Sequence, residues 1–364
     1  MTQDKLNTPL KRKVFVGLSG GVDSAVSAAL LKERGLNVVG VFIKIWQPEF
    51  YECTWKEDRL DAMRVAVALG IPFREVDLSE EYKRDVVERM IQDYKRGITP
   101  NPDVLCNRHI KFGAFAEWAL RLGAEGIATG HYARIRQHGG HRELLRGADR
   151  AKDQSYFLYR LNQRDLARAA FPVGNLTKAQ VRRHAKRLAL PVAEKPDSQG
   201  LCFVGDVSMK DFLARYIPLE RGRVEDMSGR VVGWHHGAAL YTVGQRHGFD
   251  IGDARMREVP CYVAGVDTVA NTIRVSPNRS DAARKKVPIY DDIWTVGLPR
   301  LPLSALAQTR HRGNPVPATV SREGNGLVAS FNEPHVAAAG QSIVFYKFVQ
   351  GGAGDVVLGG AVMG

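Results

Sequence analysis

Residues 14–31 read VFVGLSGGVDSAVSAALL, and the chemistry they suggest is anion binding. Residues 14–16 predict a short buried strand and residues 25–31 a helix. Between them Gly17, Leu18, Ser19, Gly20, Gly21, Val22, Asp23 and Ser24 make a glycine-rich turn. A turn of this kind points backbone N–H groups and the positive end of a helix at a phosphate. The familiar phosphate loop ends in a lysine before its Ser or Thr, but here Asp23 takes that place.

Two further stretches carry a cysteine among polar residues. In TPNPDVLCNRHIKFG (99–113), Asp103 lies three positions before Cys106. Asn101-Pro102, and a helix expected from about Ile110, make the intervening segment read as a loop. Arg108, His109, Lys111 and a helix start would favour the Cys106 thiolate. In EKPDSQGLCFVGD (194–206), Cys202 follows Gly200, with Lys195 upstream, again in a turn-like loop. Two such cysteines far apart in sequence suggest a couple assembled by the fold for redox or sulfur handling. Cys53 near Trp55 and Cys261 in CYVAGV read as packing residues. His235-His236 has no carboxylate or cysteine partner nearby in sequence, so no metal site is assigned. His131 reads either as a satisfied histidine at a strand end or as a functional one.

Positioning these residues requires a layered scaffold. VVGVFIKIW (38–46) and FREVDLS predict strands, and residues 58–69, 80–96 and 110–122 predict helices. GIATGHYARI predicts a further strand. This βαβα order implies an α/β fold with a doubly wound parallel sheet, its ligands beyond the carboxyl ends of the strands. Thr177 to Gln180 form a capping box for a helix that carries Lys178, Arg182, Arg183, Lys186 and Arg187, a candidate nucleic-acid face. A helix over 209–217 closes the region. From Pro218 the texture changes to short alternating runs broken by glycine, with a hairpin turn at Gly324–Gly326. The expected domains are 1–217, an α/β catalytic domain with RNA-binding helices; 218–287, a small β-rich central domain; and 288–364, a C-terminal β-barrel.

The bulk numbers agree with a polyanionic partner. The 364 residues are 44% hydrophobic and 25% charged, globular in character. Lys and Arg number 52 against 39 Asp and Glu, a formal charge of +13, which suits nucleic acid or an anionic surface. No apolar run approaches the ~18 residues of a membrane helix. The basic N-terminus MTQDKLNTPLKRK is not followed by an apolar core, so the expected location is cytoplasmic, with no membrane partner.

SGGVDS is similar to the pyrophosphatase loop of the ATP-dependent adenylating superfamily, which cleaves between the α- and β-phosphates and leaves AMP on the substrate. GLSGGVDS, NPDVLCN, ATGHYAR, KDQSYFL, DSQGLCF, TVGQRHG and GQSIVFY fall in order along nearly the whole chain. In that order they resemble the tRNA-specific 2-thiouridylases, which install sulfur at C2 of the wobble uridine. The resemblance implies an N-terminal domain like the adenine nucleotide α-hydrolases. It implies ATP, with Mg²⁺, held by residues 17–24, Ile43 and Gly130. Asn101, Pro102 and Asp103 would meet the target base, with Asp103 as acid/base. Cys106 would be the nucleophile, and Cys202 would carry a persulfide loaded by a sulfur-donor protein. His131, Lys152, Asp153, Gln154, Arg310, His311 and Gln341 would touch tRNA. One departure is that the family's TRYR-like segment reads TRHR here. Two other classes share parts of this pattern. An adenylating ligase of the same superfamily, acting on a small metabolite, has no use for the paired cysteines or the basic surface. A non-catalytic RNA-binding protein has no use for an intact SGGVDS.

Overall fold

The computed structural model describes residues 12–50, 55–197, 209–254, 256–347 and 356–364. The chain forms two compact units, Met1–Lys83 with Cys106–Gly205 and Arg84–Leu105 with Asp206–Gly364.

The first unit contains β1 (Lys13–Gly17), α1 (Val22–Glu33), β2 (Asn37–Lys44), α2 (Trp55–Leu69), β3 (Phe73–Asp77), α3 (Phe115–Arg121) and β4 (Gly126–Ala128). It continues through β5 (Ala133–His138), β6 (His141–Arg146), α4 (Gln163–Arg168), β7 (Ala169–Ala170) and α5 (Lys178–Arg187). The sheet order is β3-β2-β1-β4-β7, every pair parallel, as the alternating pattern requires. Phe15 and Val16 are wholly buried, as befits a central parallel strand covered on both faces. Strand order reverses at β1, and such a switch point opens a crevice at the carboxyl ends. Val16 pairs with Ala128, so the chain leaves β1 and β4 side by side. Val26 and Ala29 of α1 share a core with Val181 and Ala185 of α5, which fixes α5 against α1.

Residues 126–135 do not form the single strand expected from sequence. The strand stops at Ala128, and the Thr129 hydroxyl bonds His131 Nδ1 at 2.7 Å, turning the chain. Ala133–His138 then pairs antiparallel with His141–Arg146, closed by Gly139 and Gly140, both at positive φ. The helix expected over 80–96 is broken into Ser79–Tyr82, a π-helical Lys83–Glu88 and Arg89–Lys95.

In the second unit, β8 (Gly222–Glu225), β9 (Val231–His235), β10 (Asp250–Ile251), β11 (Tyr262–Asp267) and β12 (Thr272–Ser276) make a five-stranded sheet. Its core is Val224, Val232, Val263, Ile273 and Val275, with Cys261 buried among them as a packing residue. The remaining strands are β13 (Ala283–Trp294), β14 (Leu303–Gln308), β15 (Val316–Glu323), β16 (Gly326–Val336), β17 (Ser342–Lys347) and β18 (Val356–Met363). They run in the order β13-β16-β15-β14-β17-β18, and β18 pairs back with β13 to close a barrel. The β15–β16 hairpin turns at Gly324, whose φ of +58° requires little of a glycine. Met209–Leu213 is helical, a shorter stretch than the expected 209–217. Among the described residues no helix is long and apolar enough to cross a membrane.

Candidate active site

The turn after β1 has the walls of an anion cradle. Gly21 stands at the N-cap of α1 and supplies no side-chain acceptor, so the first-turn N–H groups are left to a ligand. Ser24 Oγ holds the turn closed, donating to Gly21 O at 3.0 Å and accepting from Ser19 N at 3.2 Å. Gly20 has φ +75°, and a Cβ there would lie 2.4 Å from the Asp58 carbonyl oxygen. A Cβ on Gly130 would lie 2.7 Å from Ser24 N. Backbone thus approaches the loop from two sides where only glycine fits. Ile43 borders Gly17, its Cδ1 3.6 Å from where a Cβ would stand. Leu18, Val22 and Ser24 are buried beneath, so the loop is seated on the core. This cradle fits a polyphosphate.

A lysine from α5 stands beside the loop. Lys178 Nζ lies 2.8 Å and 2.9 Å from the two carboxylate oxygens of Asp23. It also lies 2.7 Å from Asp197 Oδ1. Helix geometry explains the placement. Lys178 stands three and seven positions before Val181 and Ala185, on the buried stripe of α5 rather than on its solvent face. Tyr132 OH donates to Asp23 Oδ1 at 2.7 Å. Burial and then the Asp23 charge push the Tyr132 phenol well above its usual pKa, so it remains a donor. Asp197 also pairs with Lys152 at 2.7 Å and Arg182 at 2.9 Å. Burial opposes its ionisation, but Lys152 and Lys178 outweigh it and hold the carboxyl at about 2. Lys195, two residues earlier, bonds Asp58 and Asp61 of α2, each at 2.7 Å.

Much of the basic helix is therefore internally matched. Lys186 pairs with Glu194 and Arg187 with Glu33, while Arg183 is exposed.

The stretch expected to be a loop around Cys106 is helical. Pro102–Leu105, in the second unit, is a helical turn that Asn101 starts, its Oδ1 accepting from Val104 N at 3.4 Å. Proline is tolerated in a first helical turn, where its missing N–H is one of the free ones anyway. Asn-Pro is thus a helix start here, not a loop mark. In the first unit, Cys106–Ala114 is π-helical and leads into α3. Cys106 forms no disulfide among the described residues and is buried, 4% exposed. Asn107 donates to Phe157 O at 3.2 Å, and Arg108 pairs with Asp165 at 2.6 Å, pinning the segment. Asn107 Oδ1 is buried with no hydrogen-bond partner among the described residues. Cys202 and Cys53 lie outside the described residues.

The residues expected to touch tRNA divide by exposure. Arg310 is exposed, and Lys152 and His311 are half-buried. Asp153 is buried and fully occupied, with Arg146 Nε, Gly147 N, Ser155 N and Ser155 Oγ all on its carboxylate. Gln154 Oε1 accepts from Tyr132 N at 3.0 Å. Asp153 and Gln154 thus shape the turn that presents Lys152. His131 is buried between Phe112 and Phe171. Its burial, then repulsion from Lys111, lowers its pKa well below the ordinary value. Gln341 Nε2 donates to the carbonyls of Thr99 and Pro100. His235 is buried, accepting at Nδ1 from Gly237 N, and among the described residues no three His, Cys, Asp or Glu gather to hold a metal.

Known proteins match this chain along its whole length. Family models match residues 12–206 (tRNA methyl transferase HUP domain), 210–277 (tRNA methyl transferase PRC-barrel domain) and 284–363 (aminomethyltransferase beta-barrel domain). The tRNA-specific 2-thiouridylase MnmA of Pseudomonas entomophila is 42% identical over 370 residues, covering 100% of this chain and 97% of that one. The Paraburkholderia phytofirmans protein of the same name is 43% identical, covering 97% and 94%. The chain belongs to the tRNA-specific 2-thiouridylase family. Among solved structures, the U34-tRNA thiolase NcsA of Methanococcus maripaludis aligns with 18% identity over 56% of this chain and 63% of that one, at a TM-score of 0.35. The stretches ATGHYAR and DSQGLCF contain Tyr132 and Asp197, but nothing in the sequence places either of them, or Lys178, beside the loop. The usable signals were the capping box at Thr177 and the alignment of Lys178 with Val181 and Ala185.

Proposed function

We propose that this chain is an ATP-dependent tRNA uridine 2-sulfurtransferase, replacing the C2 oxygen of the wobble uridine with sulfur. The observation that carries the reading is the full-length match to 2-thiouridylases, joined to a glycine cradle at the β1–β4 switch point. ATP, when bound, supplies the adenylyl group that makes the uridine oxygen a leaving group. Residues 17–24 hold its phosphates through backbone N–H groups, with Ile43 and Gly130 at the borders. A Mg²⁺ ion would accompany the triphosphate.

The remaining roles belong to this chain's own side chains. Asn101, Pro102 and Asp103 position the base, and Asp103 moves the proton. Cys202 carries a persulfide received from a sulfur-donor protein. Cys106 either frees that sulfur by forming a disulfide with Cys202 or assists its attack on C2. Lys152, Arg310 and His311 contact the RNA, while His131, Asp153, Gln154 and Gln341 hold the surfaces that do so. The excess of basic residues supports a polyanionic substrate.

Incubation with unmodified tRNA, ATP and a persulfide source, followed by mass spectrometry of nucleosides, tests the reading. 2-Thiouridine with stoichiometric pyrophosphate is the expected outcome. Pyrophosphate release driven by a small acid, without thiolation, would assign the chain to the adenylating ligases instead.

A further inference from the structure

The phosphate turn of SGGVDS contains no lysine, yet Lys178 Nζ stands against its Asp23 at 2.8 Å. From that placement, and resting on the ATP reading above, we infer that Lys178 is the cation that binds the β- and γ-phosphates and the departing pyrophosphate.

The network is built so that the lysine can change partners. Its three N–H groups face Asp23 Oδ1, Asp23 Oδ2 and Asp197 Oδ1. A phosphate oxygen must therefore displace a carboxylate. Stranding a carboxylate is normally costly. Here Asp197 retains Lys152 and Arg182, and Asp23 retains the Tyr132 hydroxyl. Neither is left bare when Lys178 turns to a ligand. Exposure favours the same direction. The Lys178 side chain is 16% exposed and Asp23 31%, so the pair opens at the loop rather than being sealed in the core. Lysine serves phosphate as a point charge on a flexible stem, and the Lys178 ammonium lies over the Tyr132 ring, 6.0 Å from Nζ to centroid. The charge would act where negative charge accumulates as the bond between the α- and β-phosphates breaks.

Calorimetry of the full chain with ATP, inorganic pyrophosphate and AMP tests this, comparing wild type with Lys178→Gln and Lys178→Arg. Lys178→Gln should weaken ATP and pyrophosphate by about tenfold or more, the worth of one charge-assisted hydrogen bond, and AMP by less than about threefold. Lys178→Arg should recover most of the pyrophosphate affinity. Because Lys178→Gln also unbalances Asp23, the comparison is repeated in an Asp23→Asn background, where the loss of pyrophosphate affinity should persist. Equal weakening of ATP and AMP would overturn the inference, as would wild-type affinity with a lowered melting temperature. Wild-type protein that binds neither nucleotide would instead bring down the ATP reading, and this inference with it.

Discussion

Gln341 Nε2 lies 3.0 Å from the carbonyl oxygen of Thr99, a residue 242 positions earlier. The same amide donates to Pro100 O at 3.2 Å. Gly340 makes this approach possible, with φ +85° and a Cβ position only 2.9 Å from Thr99 O. On the other side, the Thr99 hydroxyl bonds that of Thr242 at 2.8 Å. The turn before β17 and the loop between β9 and β10 thus grip the segment that leads into Asn101, Pro102 and Asp103.

Gln341→Ala should therefore act through that segment. Two carbonyls lose a donor, a cost of about 1 kcal/mol of stability. Amide exchange over residues 97–101 should speed up and thiolation turnover fall, while tRNA affinity changes less than threefold. A large loss of tRNA affinity with unaltered exchange would make Gln341 a direct RNA contact instead.

Gly130→Ala tests the cradle. The new methyl would stand 2.7 Å from Ser24 N and 2.9 Å from the Asp23 carbonyl carbon, both backbone atoms that cannot swing aside. The loop must shift, so ATP affinity should drop by at least about tenfold, the effect of losing one or two phosphate hydrogen bonds. The first unit has a large core, so it should remain folded by circular dichroism. Unchanged nucleotide binding would show that the Thr129–His131 turn does not wall the site.

His131 sets an acid-side dependence. Its pKa in the folded chain is lowered, so the unfolded chain binds more protons once pH drops below the ordinary histidine value. Stability is then complete above about 6.5 and is lost as pH falls from there toward the folded value. His235 and His335, also lowered chiefly by burial, add to the same slope. Urea midpoints measured from pH 7.5 to 5 should fall, and His131→Gln should flatten part of the decline. An identical slope in the variant would mean that His131 is not held neutral.

The parallel sheet and the glycine-rich turn after β1 could be read directly from the apolar runs and from SGGVDS, because both depend on local pattern; the strand order that reverses at β1 could not, because it rests on the long-range pairing of β1 with β4. The helix start at Asn101-Pro102 contradicts the loop expected there, because Asn-Pro marks a turn as readily as it caps a helix. The single strand expected over 126–135 takes no account of Gly139-Gly140, the turn that closes the β5–β6 hairpin. The ion pairs were not legible. Asp23 meets Lys178 across 155 positions, and only the packing of Val181 and Ala185 against α1 brings them together. Asp153 likewise looks like an exposed polar residue until Arg146 is seen folded onto it.

Cys106 carries the last prediction. Its thiol is buried in a helical segment pinned by Asn107 and Arg108, so it is guarded rather than displayed as a loop nucleophile would be. Cys106→Ser should cost about 1–3 kcal/mol, because a hydroxyl replaces a thiol at a buried position. Cys106→Ala avoids that burial cost and separates stability from chemistry. Both variants should form adenylated tRNA, with normal pyrophosphate release, because the phosphate loop is untouched. Both should fail in single-turnover thiolation. In the wild type, the Cys106 thiol should react slowly with iodoacetamide in the free protein and quickly after unfolding in urea. If Cys106 frees the sulfur by attack on a persulfide at Cys202, a Cys106–Cys202 disulfide should accumulate after one turnover, and further turnovers should need a reductant. Mass spectrometry of peptides after a single turnover distinguishes the two routes. Full thiolation by Cys106→Ala would remove this cysteine from the chemistry while leaving the adenylation reading intact.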